Sequence, residues 1–136
     1  MKMSDLPNET KSFIIDSSGW IEYFSNGKLT DRFSKYIEKA NSDDFFTPSL
    51  IIYEVYKKIR SSYSEEEAIK AIVHIQANTT IIDIDSKLAV KSAEISLKEN
   101  LSLADSIIYG TSVLTKSEII TSDKHFKGKK NVIYIE

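Results

Sequence analysis

Short apolar runs rich in β-branched and aromatic residues recur along the chain. A strand with one face in solvent alternates apolar and polar positions, whereas a continuous apolar run is typical of a strand covered on both faces. The predicted strands are residues 13–15, 45–47, 79–84, 118–121 and 132–135. The first of them leads directly into Asp16 and is predicted to be a central strand of the sheet.

The segments between these strands place apolar residues three or four positions apart, which predicts helices with one buried face. The predicted helices are residues 17–24, 31–40, 49–63, 65–76, 85–99 and 102–115. In the helix at 85–99, Asp85 is expected to cap the first turn and Asn100 to end the last one. The buried face of that helix is predicted to consist of Ala89, Val90, Ala93 and Leu97.

Strands alternate with helices throughout, and right-handed crossovers between them produce a mostly parallel sheet with helices on both faces. We therefore expect a single α/β domain at residues 13–136. Residues 1–12 are polar and have no apolar period, which predicts a flexible leader.

Composition restricts the chemistry that the chain can perform. Cysteine is absent, which excludes disulfides and thiolate metal sites, and there are only two histidines, so oxygen is the favoured metal ligand. No apolar run approaches the roughly 20 residues of a membrane span, and the first residues lack the apolar core of an export signal, which implies a cytoplasmic protein. The net charge of −2 gives no bulk indication of nucleic-acid binding, which would need a local basic surface.

Four acidic residues are placed to reach one edge of the predicted sheet. Asp16 ends the first strand, Glu54 lies in the second turn of the helix after the second strand, and Asp123 follows the fourth strand. Asp105 lies in the first turn of the helix before the fourth strand, and such a helix begins near that strand's carboxyl end. Because ligands of open α/β sheets bind beyond the carboxyl ends of the strands, we expect these side chains to share one crevice.

Four carboxylates in one crevice repel one another, which lowers the stability of the fold, and a bound cation removes this repulsion. Oxygen ligands of this kind suit Mg²⁺ or Mn²⁺, which carboxylates hold together with water and substrate phosphates. Taken singly, each residue has an ordinary explanation: Asp16 and Asp105 fit helix caps, Glu54 a solvated helix position and Asp123 a turn. Their common sheet edge is the stronger evidence, and it predicts a divalent-metal site for phosphate chemistry.

Four motifs carry a resemblance to a known family. They are Ile14-Ile15-Asp16-Ser17-Ser18, Pro48-Ser49-Leu50-Ile51-Ile52-Tyr53-Glu54-Val55, Leu101-Ser102-Leu103-Ala104-Asp105-Ser106-Ile107-Ile108-Tyr109 and Ile120-Thr121-Ser122-Asp123-Lys124-His125-Phe126. In their order and spacing the chain resembles a PIN domain, the small metal-dependent ribonuclease fold, over about residues 12–136. Within that fold it is most similar to the VapC toxins of prokaryotic toxin–antitoxin pairs.

The resemblance implies a three-layer α/β/α fold with a mostly parallel five-stranded sheet flanked by helices. It also implies that the catalytic, metal-binding acids are Asp16, Glu54, Asp105 and Asp123, the same four that the sheet edge selects. The activity implied is Mg²⁺- or Mn²⁺-dependent hydrolysis of RNA that leaves a 5′-phosphate and a 3′-hydroxyl. No side-chain nucleophile is required.

Several neighbouring positions refine this expectation. Ser17 and Thr121 match positions that are usually hydroxylic and orient a ligand or a water. Some family members carry a further acid just after the fourth, where this chain has Lys124 and His125. Neither His125 nor His74 is expected to be a metal ligand.

A basic turn directly follows Asp123 and is predicted to hold RNA near the acids. Its candidate RNA-binding residues are Lys124, Lys127, Lys129 and Lys130, and Lys57, Lys58 and Arg60 extend the basic surface on the helix of Glu54. The plain alternative is a solvated loop, because short charge runs usually are just that.

The VapC resemblance further implies a homodimer and a cognate antitoxin, a segment of which occupies the groove and often aims a basic side chain at the carboxylates. Aromatic residues are enriched at interfaces, and five lie on the early helices: Tyr23, Phe24, Tyr53, Tyr56 and Tyr63.

Three alternatives stay open. The first is a solitary RNA-processing PIN nuclease, and the second is a catalytically silent PIN scaffold that acts by binding. The third is a receiver-type phosphotransfer domain with Asp85 as the phosphoacceptor. The last requires paired acids after the first strand, and here Ser17 follows Asp16.

Overall fold

The computed structural model describes residues 11–136, so residues 1–10 of the predicted leader lie outside the described part of the chain. The strands are β1 (Ser12–Ile15), β2 (Phe46–Pro48), β3 (Thr80–Ile82), β4 (Ser117–Thr121) and β5 (Val132–Tyr134). The helices are α1 (Ser17–Ser25), α2 (Thr30–Ile37), α3 (Ser49–Ser62), α4 (Glu65–Asn78), α5 (Ser86–Glu99) and α6 (Leu103–Thr115). A short 3₁₀ helix, Lys124–Phe126, follows β4. Within the described residues, no helix combines the length and the apolar character needed to cross a membrane.

All the strand pairings are parallel, as predicted, but the hydrogen bonding divides the sheet into two parts. In one part β4 lies between β1 and β5, and in the other β2 pairs with β3. A single parallel bridge between Phe13 and Phe45 joins the two parts, and the Phe13 N–H donates to the Asp44 carbonyl at 2.8 Å. The strand order is therefore β3-β2-β1-β4-β5, which confirms a five-stranded parallel α/β architecture flanked by helices.

The centre of the sheet is almost fully buried, as a continuous apolar run predicts. The core residues of β1 and β4 are Ile14, Ile15, Ile119 and Ile120, and none is more than 1% exposed. Ile15 lies opposite Ile120, and the next N–H, that of Asp16, donates to the Ile120 carbonyl at 3.0 Å. This register places Asp16 at the carboxyl edge of the sheet, beside the end of β4.

The ends of α5 agree with the sequence prediction, but its buried face does not. The Asp85 side chain accepts a hydrogen bond from the Leu88 N–H at 2.9 Å, and Asn100 ends the helix in the left-handed conformation with φ of 54°. The four residues predicted to face inward are all exposed: Ala89, Val90, Ala93 and Leu97. The prediction of that face was therefore wrong.

The buried face of α5 is formed instead by Leu88, Ser92 and Ile95, which pack towards α6. Ser92 lies so close to α6 that a Cβ placed on Gly110 would be 2.5 Å from its Oγ. Small residues on both helices permit this close approach, and a small polar residue is invisible to a search for apolar stripes.

Candidate metal centre

Asp16 combines a structural role with an unusual charge environment. Its Oδ1 accepts a hydrogen bond from the Ser17 N–H at 2.8 Å, which caps α1, and its Oδ2 accepts from the Thr121 hydroxyl at 2.8 Å and from the Ser18 hydroxyl at 3.3 Å. Burial raises the pKa of Asp16 to about 6 against the opposing effect of the Thr121 and Ser17 bonds, and the negative charges of Asp123 and Asp105 add to the rise. The helix-cap explanation is thus correct but incomplete, because a cap alone does not require a buried carboxylate beside two others.

Thr121 links the ends of β1 and β4. Its side chain is fully buried, its hydroxyl donates to Asp16, and the same oxygen accepts a hydrogen bond from the Asp123 N–H at 2.9 Å. The Ser18 hydroxyl accepts a hydrogen bond from the Ser122 N–H at 3.2 Å. The sequence did not predict this contact. These bonds hold Asp16 in a defined position relative to Asp123, and the orienting role of Thr121 stays a prediction.

Replacing Thr121 with valine is expected to lower both stability and metal affinity. The change preserves shape but removes a donor from the buried Asp16 carboxylate and the acceptor of the half-buried Asp123 N–H, at a cost of about 1–3 kcal/mol in the free energy of unfolding. Loss of a bond that orients a ligand typically lowers metal affinity by about 10–100-fold. Denaturant unfolding and calorimetric titration with Mn²⁺ measure the two effects.

The matched control is Thr111→Val. Thr111 is also fully buried, but its hydroxyl donates to the Ile107 carbonyl of its own helix at 2.8 Å. We expect this variant to bind Mn²⁺ like the unmodified protein. Equal Mn²⁺ affinities for both valine variants would contradict the orienting role of Thr121.

Glu54 approaches the same crevice from α3. Burial raises its pKa, and the charge of Asp16 raises it further, while the Ser17 hydroxyl opposes the rise. Its Oε1 is buried and has no hydrogen-bond partner among the described residues. A buried carboxylate oxygen without a donor indicates that a cationic partner belongs there.

Asp105 enters the crevice from the first turn of α6. Its N–H donates to the Ser102 hydroxyl at 3.2 Å, which caps the helix, and only 9% of the residue is exposed. Burial and then the negative charge of Asp123 raise the pKa of Asp105, whereas His125 lowers it. The charges of Asp105 and Asp123 raise the pKa of both Asp16 and Glu54, so these acids lie close enough to interact at one edge of the sheet.

His125, which the sequence interpretation set aside, lies between two of these acids. Its Nδ1 is 3.1 Å from Asp123 Oδ1 and 3.4 Å from Asp105 Oδ2. The ligand atoms of these three residues all lie within 4.8 Å of one another, a grouping able to hold a metal ion. The sequence contained one indication of this contact: His125 lies two residues after Asp123, a spacing at which a tight turn brings the side chain back to the carboxylate.

The lysines of the predicted basic turn do not form one basic surface beside the acids. Lys127 pairs with Glu136 at 3.3 Å and Lys129 pairs with Glu99 at 3.4 Å. Lys130 borders a cavity shared with Ser117 at the start of β4, at the edge of the sheet opposite the acids. Lys124 follows Asp123 directly and makes no ion pair within the described part of the chain.

Comparison with known proteins identifies the family. The family model of the PIN domain matches residues 13–131. The chain belongs to the PIN domain family. No match was found among curated proteins.

Several solved structures with a similar fold are toxins or toxin–antitoxin complexes by their descriptions. A toxin–antitoxin complex from Klebsiella pneumoniae is 24% identical, with a TM-score of 0.73 over 90% of this chain and 96% of that one. VapBC2 from Rickettsia felis, bound to a fragment of its promoter DNA, is 13% identical, with a TM-score of 0.70 over 91% and 98% of the two chains. Mycobacterium tuberculosis VapC20, described as a sarcin-ricin loop cleaving toxin, is 11% identical, with a TM-score of 0.68 over 85% and 92%. At these identities the likeness shows a shared PIN fold.

Proposed function

We propose that this PIN domain is a Mg²⁺- or Mn²⁺-dependent endoribonuclease and the toxin of a toxin–antitoxin pair, acting on RNA in the cytoplasm. The observation that carries the proposal is the crevice formed by Asp16, Glu54, Asp105 and Asp123, in which Glu54 Oε1 is buried and no group of residues 11–136 bonds to it. Carboxylates that raise one another's pKa lower the stability of a fold unless a cation offsets them. Their retention at one site therefore favours a metal-dependent function over a silent scaffold.

The side chains present fit a hard divalent cation. Asp16, Glu54, Asp105 and Asp123 would hold it, since carboxylate oxygens are the ligands that Mg²⁺ and Mn²⁺ prefer. When bound, such an ion lowers the pKa of a coordinated water and neutralises charge on a phosphate. The chain itself contributes the fixed positions of the carboxylates and the hydroxyl of Thr121, which donates to Asp16 and so favours its ionised form.

Of the basic residues predicted to contact RNA, Lys124 is the best placed. It is exposed and adjoins Asp123, whereas Lys127 and Lys129 already pair with carboxylates. We therefore propose that Lys124 contacts an RNA phosphate next to the acidic crevice, with Lys127, Lys129 and Lys130 as weaker contributors. Phosphate contacts of this kind make RNA affinity depend on salt concentration.

Cleavage assays with purified protein test the proposed activity. We expect single-stranded RNA to be cut in the presence of Mg²⁺ or Mn²⁺ and cutting to stop when EDTA removes the ion, because the proposed ion both activates the attacking water and neutralises charge on the phosphate. Restoring excess Mn²⁺ should restore cleavage, which excludes irreversible damage by the chelator. Metal binding in calorimetry without any RNA cleavage would instead support the silent scaffold.

An antitoxin partner is supported by an apolar groove on α3, the helix that carries Glu54. Ile52, Tyr53, Tyr56 and Arg60 of α3 line this groove of about 590 Å³ together with Ile72 of α4. Tyr53 is 59% exposed although its neighbour Glu54 lies in the crevice. We propose that an antitoxin segment lies in this groove and extends a basic side chain towards the carboxylates.

Two observations separate the toxin from a solitary PIN nuclease. A small DNA-binding protein encoded next to this chain, copurifying with it and inhibiting its RNA cleavage, would support the toxin and its proposed homodimer. A monomer that cleaves RNA and has no such neighbour would support the solitary nuclease.

A further inference from the structure

We propose that His125 is a metal ligand that acts with Asp105 and Asp123 and makes the site select Mn²⁺ over Mg²⁺. The inference rests on the proposed metal-dependent function and extends it, because the four-carboxylate set contains oxygen ligands only. It assigns a specificity-determining role to a residue outside the predicted site.

The distances around His125 are those expected of ligands that share one ion. Two donor atoms each about 2.1 Å from a metal lie roughly 3–4 Å apart, depending on the angle between them. His125 Nδ1 is 3.1 Å from Asp123 Oδ1 and 3.4 Å from Asp105 Oδ2. The imidazole nitrogen is thus already within the spacing that two carboxylates and an ion would require.

The backbone holds His125 in this position, although 75% of its side chain is exposed. Its N–H donates to Asp123 Oδ1 at 2.9 Å, which caps the 3₁₀ turn. The next residue, Phe126, is fully buried and stacks on Tyr109 with a centroid distance of 6.3 Å. Because a buried aromatic side chain anchors the turn, the imidazole is presented to the acids from a rigid support.

Imidazole changes which ion the site prefers. Mg²⁺ is held almost entirely by oxygen, whereas transition ions accept imidazole nitrogen, and affinity for a mixed nitrogen and oxygen site rises from Mn²⁺ to Co²⁺ and Ni²⁺. One histidine among carboxylates therefore adds more to the binding of Mn²⁺ than to that of Mg²⁺. The alternative is that His125 only neutralises the charges of Asp105 and Asp123, in which case it would give no preference for Mn²⁺.

That alternative makes an opposite prediction. A protonated His125 paired with Asp105 and Asp123 would act as a built-in counter-cation, which an incoming metal ion must displace. Removing the imidazole would then strengthen the binding of both ions, whereas removing a ligand weakens the binding of Mn²⁺.

The experiment compares three forms of the full chain: the unmodified protein, His125→Asn and His74→Asn. The chain has two histidines, and His74 lies on α4 against Trp20 and Phe24, with ring centroids 5.9 and 5.4 Å away, so it is the matched control. Calorimetric titrations with Mn²⁺ and with Mg²⁺ are expected to show at least about tenfold weaker Mn²⁺ binding for His125→Asn. Its Mg²⁺ binding should change less, and His74→Asn should match the unmodified protein for both ions.

A spectroscopic measurement identifies the bound nitrogen directly. Pulsed electron paramagnetic resonance of the Mn²⁺-loaded protein should detect hyperfine coupling to histidine nitrogen, and the coupling should change when the histidines carry ¹⁵N. We expect the coupling to persist in His74→Asn and to disappear in His125→Asn, whose fold is checked by circular dichroism.

The possible results are distinguishable. Mn²⁺ bound without a histidine nitrogen signal, or bound more tightly by His125→Asn, would overturn the ligand role while leaving the metal-dependent nuclease intact. Failure of the unmodified protein to bind either ion would overturn the proposed function together with the ligand role.

Discussion

Replacing Asp16 with asparagine is expected to slow RNA cleavage severely while the chain still folds. Asparagine has the same size and is an equally good helix cap, so its side-chain oxygen can still accept the Ser17 N–H that now bonds Asp16 at 2.8 Å. What is lost is the negative charge at the centre of the crevice. Removing one electrostatic contributor from an active site lowers the rate by roughly 10²–10³-fold. Initial rates on a fluorescent single-stranded RNA with saturating Mn²⁺ measure the loss.

Asp85→Asn is the matched control. Asp85 also follows a strand and caps a helix, accepting the Leu88 N–H at 2.9 Å, but it is exposed on α5 and is not part of the acidic crevice. This variant is expected to cleave RNA at the unmodified rate, and it also tests the receiver-type hypothesis, in which Asp85 is the phosphoacceptor. Cleavage by Asp16→Asn at the rate of the Asp85→Asn control would remove the basis of the proposed mechanism.

The position of the acidic crevice is predictable from sequence because it depends on topology. A buried apolar run fixes each strand, and parallel crossovers bring the strand ends, with Asp16 and Asp123, to one edge. Asp105 follows once the helix before β4 is taken to run antiparallel to that strand. Helix ends are similarly local, since the capping side chain of Asp85 and the left-handed Asn100 act on the adjacent turn.

Features that depend on contacts between distant segments were harder to predict. The buried face of α5 is set by its close approach to Gly110 of α6, which selects Ser92 over the more apolar Val90. The pattern of apolar residues also does not predict that β1 and β2 are joined by a single bridge instead of a continuous row of hydrogen bonds.

Around the acids, too, the contacts between distant segments were the ones that the sequence did not predict. Lys129 is drawn away from the crevice by Glu99, 30 positions earlier in the chain, and the sequence gives no sign of that pairing. His125 was overlooked because one histidine in a basic run usually means little. Only the 3₁₀ turn shows that its Nδ1 reaches two carboxylates.

The metal-free protein is expected to lose stability as the pH rises from about 4 to about 6. The pKa of Asp16 is raised from 3.8 to about 6 in the folded chain, so in this window the unfolded chain releases its proton first and is favoured. At about 1.4 kcal/mol per pKa unit, the loss from this group amounts to roughly 3 kcal/mol and then stays constant at higher pH. The pKa values of Glu54 and Asp105 are raised as well, which acts in the same direction.

Thermal unfolding in EDTA at several pH values measures this loss, which should lower the melting temperature by roughly 10 °C for a chain of this size. Asp16→Asn should have a much flatter profile, because the group responsible no longer titrates, whereas Asp85→Asn should retain the full pH dependence. Adding Mn²⁺ above pH 6 should restore stability, since a bound cation favours the ionised carboxylates. A profile for Asp16→Asn as steep as that of the unmodified protein would mean that Asp16 is not the group whose buried charge lowers the stability of the metal-free protein.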